Sequence, residues 1–200
     1  MRNLVIATIL ASATAYAGPF KETLSKEEIA QITKAVQAAL PPIDATARTK
    51  CQPLLDEYNK APEAKTELVM EAAKCLRSAG ALGAAVIAFK TAYKYPAKGQ
   101  APEALRLAAD GEEAAAFYDS AASDYEGYYA QYGVTPGITD ATTLMIRATC
   151  IRRQLGDEEK ANKDLGSLNL TPKLNKAKPK YDGNTLCDTI RPIAMPAKKS

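Results

Sequence analysis

Apolar side chains recur at Ile29, Ile32, Val36 and Leu40, three or four residues apart, which places them on one face of a helix. The stretch opens on Ser25-Lys26-Glu27-Glu28, a capping box. In it the Ser25 hydroxyl and the Glu28 carboxylate each satisfy a backbone donor that a helix start leaves unpaired. Leu24 and Ile29 flank the box as a hydrophobic staple, and Pro41-Pro42 ends the helix. The pattern predicts a second helix from Ile43 to Tyr58, bent near Pro53, which lacks the amide hydrogen its turn requires. A third helix is expected from a first turn at Pro62 to Ala79, stopped by Gly80, and a fourth from Leu82 to about Tyr95, ended by Pro96. After the turn Ala97 to Gln100, Pro102 opens a helical pair that reaches Tyr132 and breaks between Ala116 and Ser120. A turn from Gly133 to Gly137 leads into a helix from about Thr139 to Leu155, and Gly156-Asp157 separates it from a shorter one, Glu158 to Leu165. The reading is an all-α chain of short antiparallel helices.

Two segments fall outside this periodicity. Arg2, the apolar run Leu4 to Ala11 and the small residues ending Ala15-Tyr16-Ala17 have the layout of a secretory signal peptide, with cleavage expected after Ala17. The run is too short for a transmembrane helix, which needs about 20 apolar residues. Beyond Leu168 the residues Pro172, Pro179, Gly183, Pro192 and Pro196 lie among lysines, which predicts an extended tail with an ordered patch around Leu186-Cys187. The expected organisation is a signal peptide at 1–17, a helical-repeat domain at 18–168 and a Pro/Lys-rich tail at 169–200, partly tied by a disulfide.

Composition narrows the classes. Abundant alanine, no Trp and only three Phe favour helices packed closely through small side chains. A formal net charge of +3 is too balanced for a nucleic-acid binder, which needs a basic patch or stripe to neutralise phosphates. Charge is nonetheless uneven, with acids concentrated from Ala101 to Gly133 and bases from Thr171 to Ser200. The basic tail could lie against the acidic helices, contact an acidic envelope surface or be solvated.

An exported chain with four cysteines is read as having two disulfides, because the compartment is oxidising. Three pairings are formally open. Locality selects among them: with a turn from Asn59 to about Lys65, the antiparallel neighbour of Cys51 falls about half a helical turn from Cys75. Cys51 would then staple to Cys75, and Cys150 would clip Cys187 and the tail to the last long helix. Zinc is the competing reading, but there is no C-x-x-C and no histidine. No metal or other cofactor is expected.

The lack of histidine also removes the commonest general base and the Ser-His and Cys-His nucleophile pairs. Carboxylate pairs one helical turn apart remain, Asp110 with Glu113 and Glu67 with Glu71. Such a pair flanking a sugar could hydrolyse it; the ordinary reading is a solvated helix face. Tyr118, Tyr125, Tyr128, Tyr129 and Tyr132 form a helical stripe, which is either a recognition surface or packing between helices, and ring exposure decides. Asn169-Leu170-Thr171 fits a glycosylation sequon.

Aligning the helical pairs shows a loose internal repeat. Gly80, Ala85, Phe89 and Ala92 keep the same spacing as Ala116, Ala121, Tyr125 and Tyr128, and Gly156, Ala161 and Leu165 follow it for three positions. The units lie 36 and 40 residues apart, within the range of helix-turn-helix solenoids. Over roughly residues 65–166 this resembles the tetratricopeptide-repeat (TPR) family, and particularly the repeats of bacterial envelope-assembly proteins. Ala73 and Leu76 fall where that family's first helix carries a small and a large apolar residue.

The resemblance implies antiparallel hairpins stacked as a short solenoid whose first helices line a concave face. Arg106, Asp110 and Arg147 are the contacts that this implies by position. The implied function is that of a noncatalytic scaffold or adaptor in the bacterial cell envelope, periplasmic or secreted, whose partner is another envelope or secreted protein. The alternatives are a structural coat or matrix protein and a carboxylate-dependent envelope glycan hydrolase.

Overall fold

The computed structural model describes residues 24–40 and 42–168, together with Cys187 and Ile193. The expected signal peptide, the sequon and the remainder of the expected tail lie outside the described residues. The described part is all-helical, with eight α-helices and no strand. None of these helices is long and apolar enough to cross a membrane.

Helix α1 (Lys26–Ala39) begins at the capping box: the Ser25 amide donates to Glu28 at 2.8 Å and the Glu28 amide donates to Ser25 Oγ at 3.2 Å. Helix α2 (Ala45–Lys60) starts two residues later than its apolar pattern suggests, because Asp44 accepts from the Ala47 amide and so caps it. It runs continuously through Pro53, whose missing hydrogen leaves the Thr49 carbonyl without its helical donor. Helix α3 (Thr66–Ser78) does not open at Pro62. The amides of Ala64 and Lys65 both turn back to the Ala61 carbonyl, and Lys65, at φ −128°, separates that turn from the helix. Helices α4 (Leu82–Lys94), α5 (Ala101–Ala114) and α6 (Tyr118–Tyr132) occupy the expected stretches. Helix α7 (Ala141–Gln154) begins after Asp140 rather than at Thr139, and α8 (Glu158–Ser167) closes the series.

From α2 onward each helix packs chiefly against its neighbour in sequence, and the loose repeat has an identical backbone form at three places. Gly80, Ala116 and Gly156 all have left-handed φ, at 75°, 63° and 80°. At each, the turn residue's amide donates three residues back, to Arg77, Glu113 and Arg153. The next amide donates five residues back, from Ala81 to Leu76, Phe117 to Glu112 and Asp157 to Arg152. This is the Schellman arrangement, which satisfies the carbonyls a helix end leaves orphaned. Three hairpins, α3–α4, α5–α6 and α7–α8, therefore reverse through the same turn.

Positions counted from that turn are equivalent in burial as well. Five residues on, Ala85, Ala121 and Ala161 are buried; nine on, Phe89, Tyr125 and Leu165 are. Eight residues before it stand Ala72, Ala108 and Ala148, all without exposed surface. Alanine at the crossing lets paired helices approach, while the larger residue fills the space between them.

The core divides accordingly. One cluster joins α2 to α5 around Val69, Met70, Leu76 and Phe89. A second joins α5, α6 and α7 through Ala109, Tyr125, Ala148 and Ile151, and it takes in Leu24, Ile32 and Ile193. Helix α1, adjacent to α2 in sequence, thus contributes to the core at the opposite end of the array, and the Leu24 amide donates to the Gln154 carbonyl at 2.8 Å. Cys51 is bonded to Cys75 across the α2–α3 hairpin, with Cα atoms 5.7 Å apart, and Cys150 of α7 is bonded to Cys187, 5.5 Å apart.

Candidate functional site

Arg106 and Asp110 lie one turn apart on α5, and Arg147 lies on α7. The fold draws all three into one polar network. Arg147 holds Glu113 with two bonds, Nε and Nη2 each donating at 2.5 Å, the planar two-point geometry that suits guanidinium and carboxylate. The Tyr125 hydroxyl, from α6, lies 2.9 Å from Asp110 and 3.0 Å from Glu113. Arg106 sits 3.4 Å from Asp110 and 3.7 Å from Asp140. Asp140 also accepts from the Tyr128 hydroxyl at 2.9 Å. With its carboxylate so engaged, Asp140 makes no side-chain cap at the start of α7.

The two arginines differ in what they can still do. Arg147, about as exposed as Arg106, is held by two short bonds to a carboxylate that is itself nine-tenths buried; burial opposes the guanidinium charge, but Glu113 outweighs it and the Arg147 pKa is raised. Arg106 is 36% exposed and its two carboxylate contacts are long, which leaves guanidinium donors available for a carboxylate or main-chain carbonyl brought by a ligand. Burial, with the carboxylates of Glu113 and Asp110, pushes the Tyr125 phenol far above its ordinary value, so it serves as a neutral donor. Burial and Asp140 push Tyr128 up to about 12.

The tyrosine stripe is packing between helices on its inner side. Tyr118, Tyr125 and Tyr128 are buried and Tyr129 and Tyr132 half-buried, with the Tyr128 and Tyr132 rings in edge contact at 5.3 Å. Glu67 and Glu71, the other carboxylate pair, are exposed on α3. Among the described residues no group of His, Cys, Asp or Glu is arranged to hold a metal ion.

Sequence reasoning did not anticipate two ionic triads between successive hairpins, each with one buried member at its centre, Glu112 in the first and Arg152 in the second. Lys90 of α4 meets Glu112 of α5 at 2.6 Å and Asp124 of α6 at 3.2 Å. Arg152 of α7, 1% exposed, meets Glu126 of α6 at 2.6 Å, Ser123 Oγ at 2.7 Å and Asp119, with Asp164 of α8 in its electrostatic range. Lys90 and Glu126 are equivalent positions, each ten residues after its turn residue; so are Glu112 with Arg152, and Asp124 with Asp164. The second triad is the first with its central pair reversed in sign. Burial works against the Lys90 ammonium, but Glu112 and Asp124 outweigh it and hold its pKa up. Burial pushes Glu112 up, and burial with the nearby Glu126 pushes Asp164 up to about 7. The turn-based register found the positions, but nothing in it indicates that a Leu76 site in one unit becomes Glu112 and Arg152 in the next.

No protein-family model matches this chain, and no curated protein or solved structure is detectably similar to it.

Proposed function

We propose that the protein is a noncatalytic, TPR-like adaptor of the bacterial cell envelope, exported and folded where its four cysteines are oxidised, and that it holds a segment of a partner protein on its first helices. The observation that supports this reading is the repetition of one turn geometry at Gly80, Ala116 and Gly156, which gives α3, α5 and α7 the same place relative to their turns. Stacked as a solenoid, such like helices would form an extended surface that meets a chain segment one unit at a time. Arg106, on the middle first helix, has the exposure and the loose internal partners that a contact residue needs. The glycan-hydrolase reading requires two carboxyls facing across a substrate bond. Asp110 and Glu113 instead share one phenol hydroxyl, and Arg147 clamps the second of them, which favours a positioning role for the pair.

Crosslinking in the native envelope fraction, read by mass spectrometry, tests this. A discrete partner crosslinked to α3, α5 or α7, and weakened by Arg106→Ala, supports the adaptor. Crosslinks only between copies of the chain, growing with its concentration, would replace it with the coat or matrix reading. No protein crosslinks at all, together with glycan cleavage lost in Asp110→Asn, would replace it with the hydrolase.

A further inference from the structure

In a series of stacked hairpins each unit touches only the units next to it, so the two ends of the series have no direct hold on each other. Helix α1 breaks that pattern. Just before it, the Leu24 amide donates to the Gln154 carbonyl at 2.8 Å, and just after it the Asp44 amide donates to the Ala79 carbonyl at 3.1 Å. Gln154 is the last residue of α7 and Ala79 is the C-cap of α3, so both acceptors stand where a first helix runs into its left-handed turn. Between the two ties, Ile32 shares a buried apolar cluster with Ala116, the turn residue of the middle hairpin, and with Ala109 and Tyr118 on either side of it in sequence. Helix α1 thus reaches all three turns.

Its length and pattern suit that crossing. A helix of 14 residues is about 21 Å long, roughly two of the 8–10 Å spacings that separate packed helices. It packs along no single neighbour and shares no apolar cluster with α2, the next helix in sequence. Ile29, Ile32 and Val36 face the cluster, while Glu27, Gln31 and Lys34 are exposed. The anchorage is thin. Among residues 24–40 only Leu24 and Ile32 are buried, whereas α5 alone buries eight. A helix held by so few apolar contacts opens locally more readily than the helices it covers.

We propose that α1 is a strap that holds the third hairpin to the first, so that the stacked hairpins behave as one body, and that it lifts as a unit before the array opens. The two hairpins do not depend on it equally. The first is backed by α2 and by the Cys51–Cys75 bond across the α2–α3 hairpin. The third, α7–α8, closes the series of described helices and packs on α6 alone among the other hairpins' helices. Lifting the strap therefore leaves the third hairpin with its packing on α6 and removes its tie to the first. The strap needs no partner and stands independently of the adaptor reading.

Hydrogen exchange of the full oxidised chain, read by mass spectrometry, tests this with both disulfides intact in every variant. In the parent protein the amides of α1 are expected to exchange at least about tenfold faster than those of α5 and α6. In Ile32→Ser, exchange in α7 and α8 is expected to rise at least about tenfold while that in α3 and α4 stays within about threefold. If Ile32→Ser loses its helicity, Ile32→Val decides: the loss of one methyl group is expected to speed α1 exchange about two- to tenfold, and α7 and α8 are expected to follow it ahead of α3 and α4. Unchanged exchange in α7 and α8 once α1 is freed would make α1 a cover and not a strap. Exchange of α1 at the rate of α5 and α6 in the parent would place it in the core, with no separate lifting. An equal rise in all three hairpins would show a general loss of stability in place of a lost tie.

Discussion

Glu112 and Arg152 stand at the same place in successive hairpins, each four residues before its left-handed turn residue, with opposite charges and oppositely charged partners. The equivalent residue of the first hairpin is Leu76, buried in an apolar cluster. A position that one interface fills with hydrocarbon is therefore filled at the next two by ion pairs of reversed sign.

Reversal of the second pair is the direct test. Arg152→Glu alone adds a fourth acidic side chain to Asp119, Glu126 and Asp164 around a buried position and is expected to destabilise the fold by about 3–5 kcal/mol, the range for breaking a buried pair. Adding Glu126→Lys reproduces the arrangement of Lys90, Glu112 and Asp124. The double variant is expected to recover more than half of the loss in denaturant unfolding. A double variant no more stable than Arg152→Glu would show the two triads not to be equivalent.

Asp164 makes stability depend on pH. Its carboxyl is pushed up to about 7 from an ordinary 3.8, chiefly by burial and by Glu126. The folded state therefore holds a proton that the unfolded chain releases, so protonation supports folding fully at low pH, and this support fades as pH rises through 7. Asp164→Asn keeps the neutral form at every pH. Its Tm is expected to match the parent's near pH 4 and to exceed it by a few degrees at pH 8, where each kcal/mol is worth about 2–4 °C. An equal difference at both pH values would remove Asp164 as the titrating group.

Two helical glycines should respond in opposite directions to alanine. At Gly111 an added Cβ would lie 2.8 Å from Val86 Cγ2, where α4 and α5 approach, so Gly111→Ala is expected to destabilise by about 1–3 kcal/mol through overpacking. At Gly127, inside α6, a Cβ meets nothing within 4 Å. Gly127→Ala is expected to stabilise by up to about 1 kcal/mol through helix propensity. Chemical denaturation of the two variants measures both signs.

Arg147 and Arg106 separate fold from binding. Arg147→Met leaves Glu113 buried without its guanidinium and is expected to lose about 3 kcal/mol in stability. Arg106→Ala removes only long, partly solvated contacts and is expected to lose less than about 1 kcal/mol. Arg106 is accordingly the substitution for binding experiments, and a folding defect in Arg106→Ala as large as that of Arg147→Met would contradict this division.

What could be read along the chain were the features whose cause is local. Ser25 and Glu28 cap α1 because the box closes within four residues. Gly80 and Gly156 mark helix ends because a left-handed turn suits a residue without Cβ, and Ala116 was found at the same register through its neighbours Ala121 and Tyr125. The Cys51–Cys75 pairing followed from helix geometry, since antiparallel neighbours are set by the length of the turn between them, and Cys150 with Cys187 was the pair that remained. The start of α3 was misplaced because Pro62 suits the first turn of a helix as well as the isolated turn from Ala61 to Lys65.

The sequence by itself determined the all-helical class, the approximate places of the helices and the three-fold register of turns, because hydrogen bonds within a turn and side-chain period along a helix are short-range effects. Only the tertiary structure decided that Lys90 faces Glu112 while Arg152 faces Glu126, that Arg147 rather than Arg106 is locked to Glu113, and that Leu24 and Ile193 join the apolar cluster of Tyr125 and Ile151. Those contacts join residues on different helices, and a charge or an apolar side chain carries no mark of which distant surface will bury it until the hairpins stack.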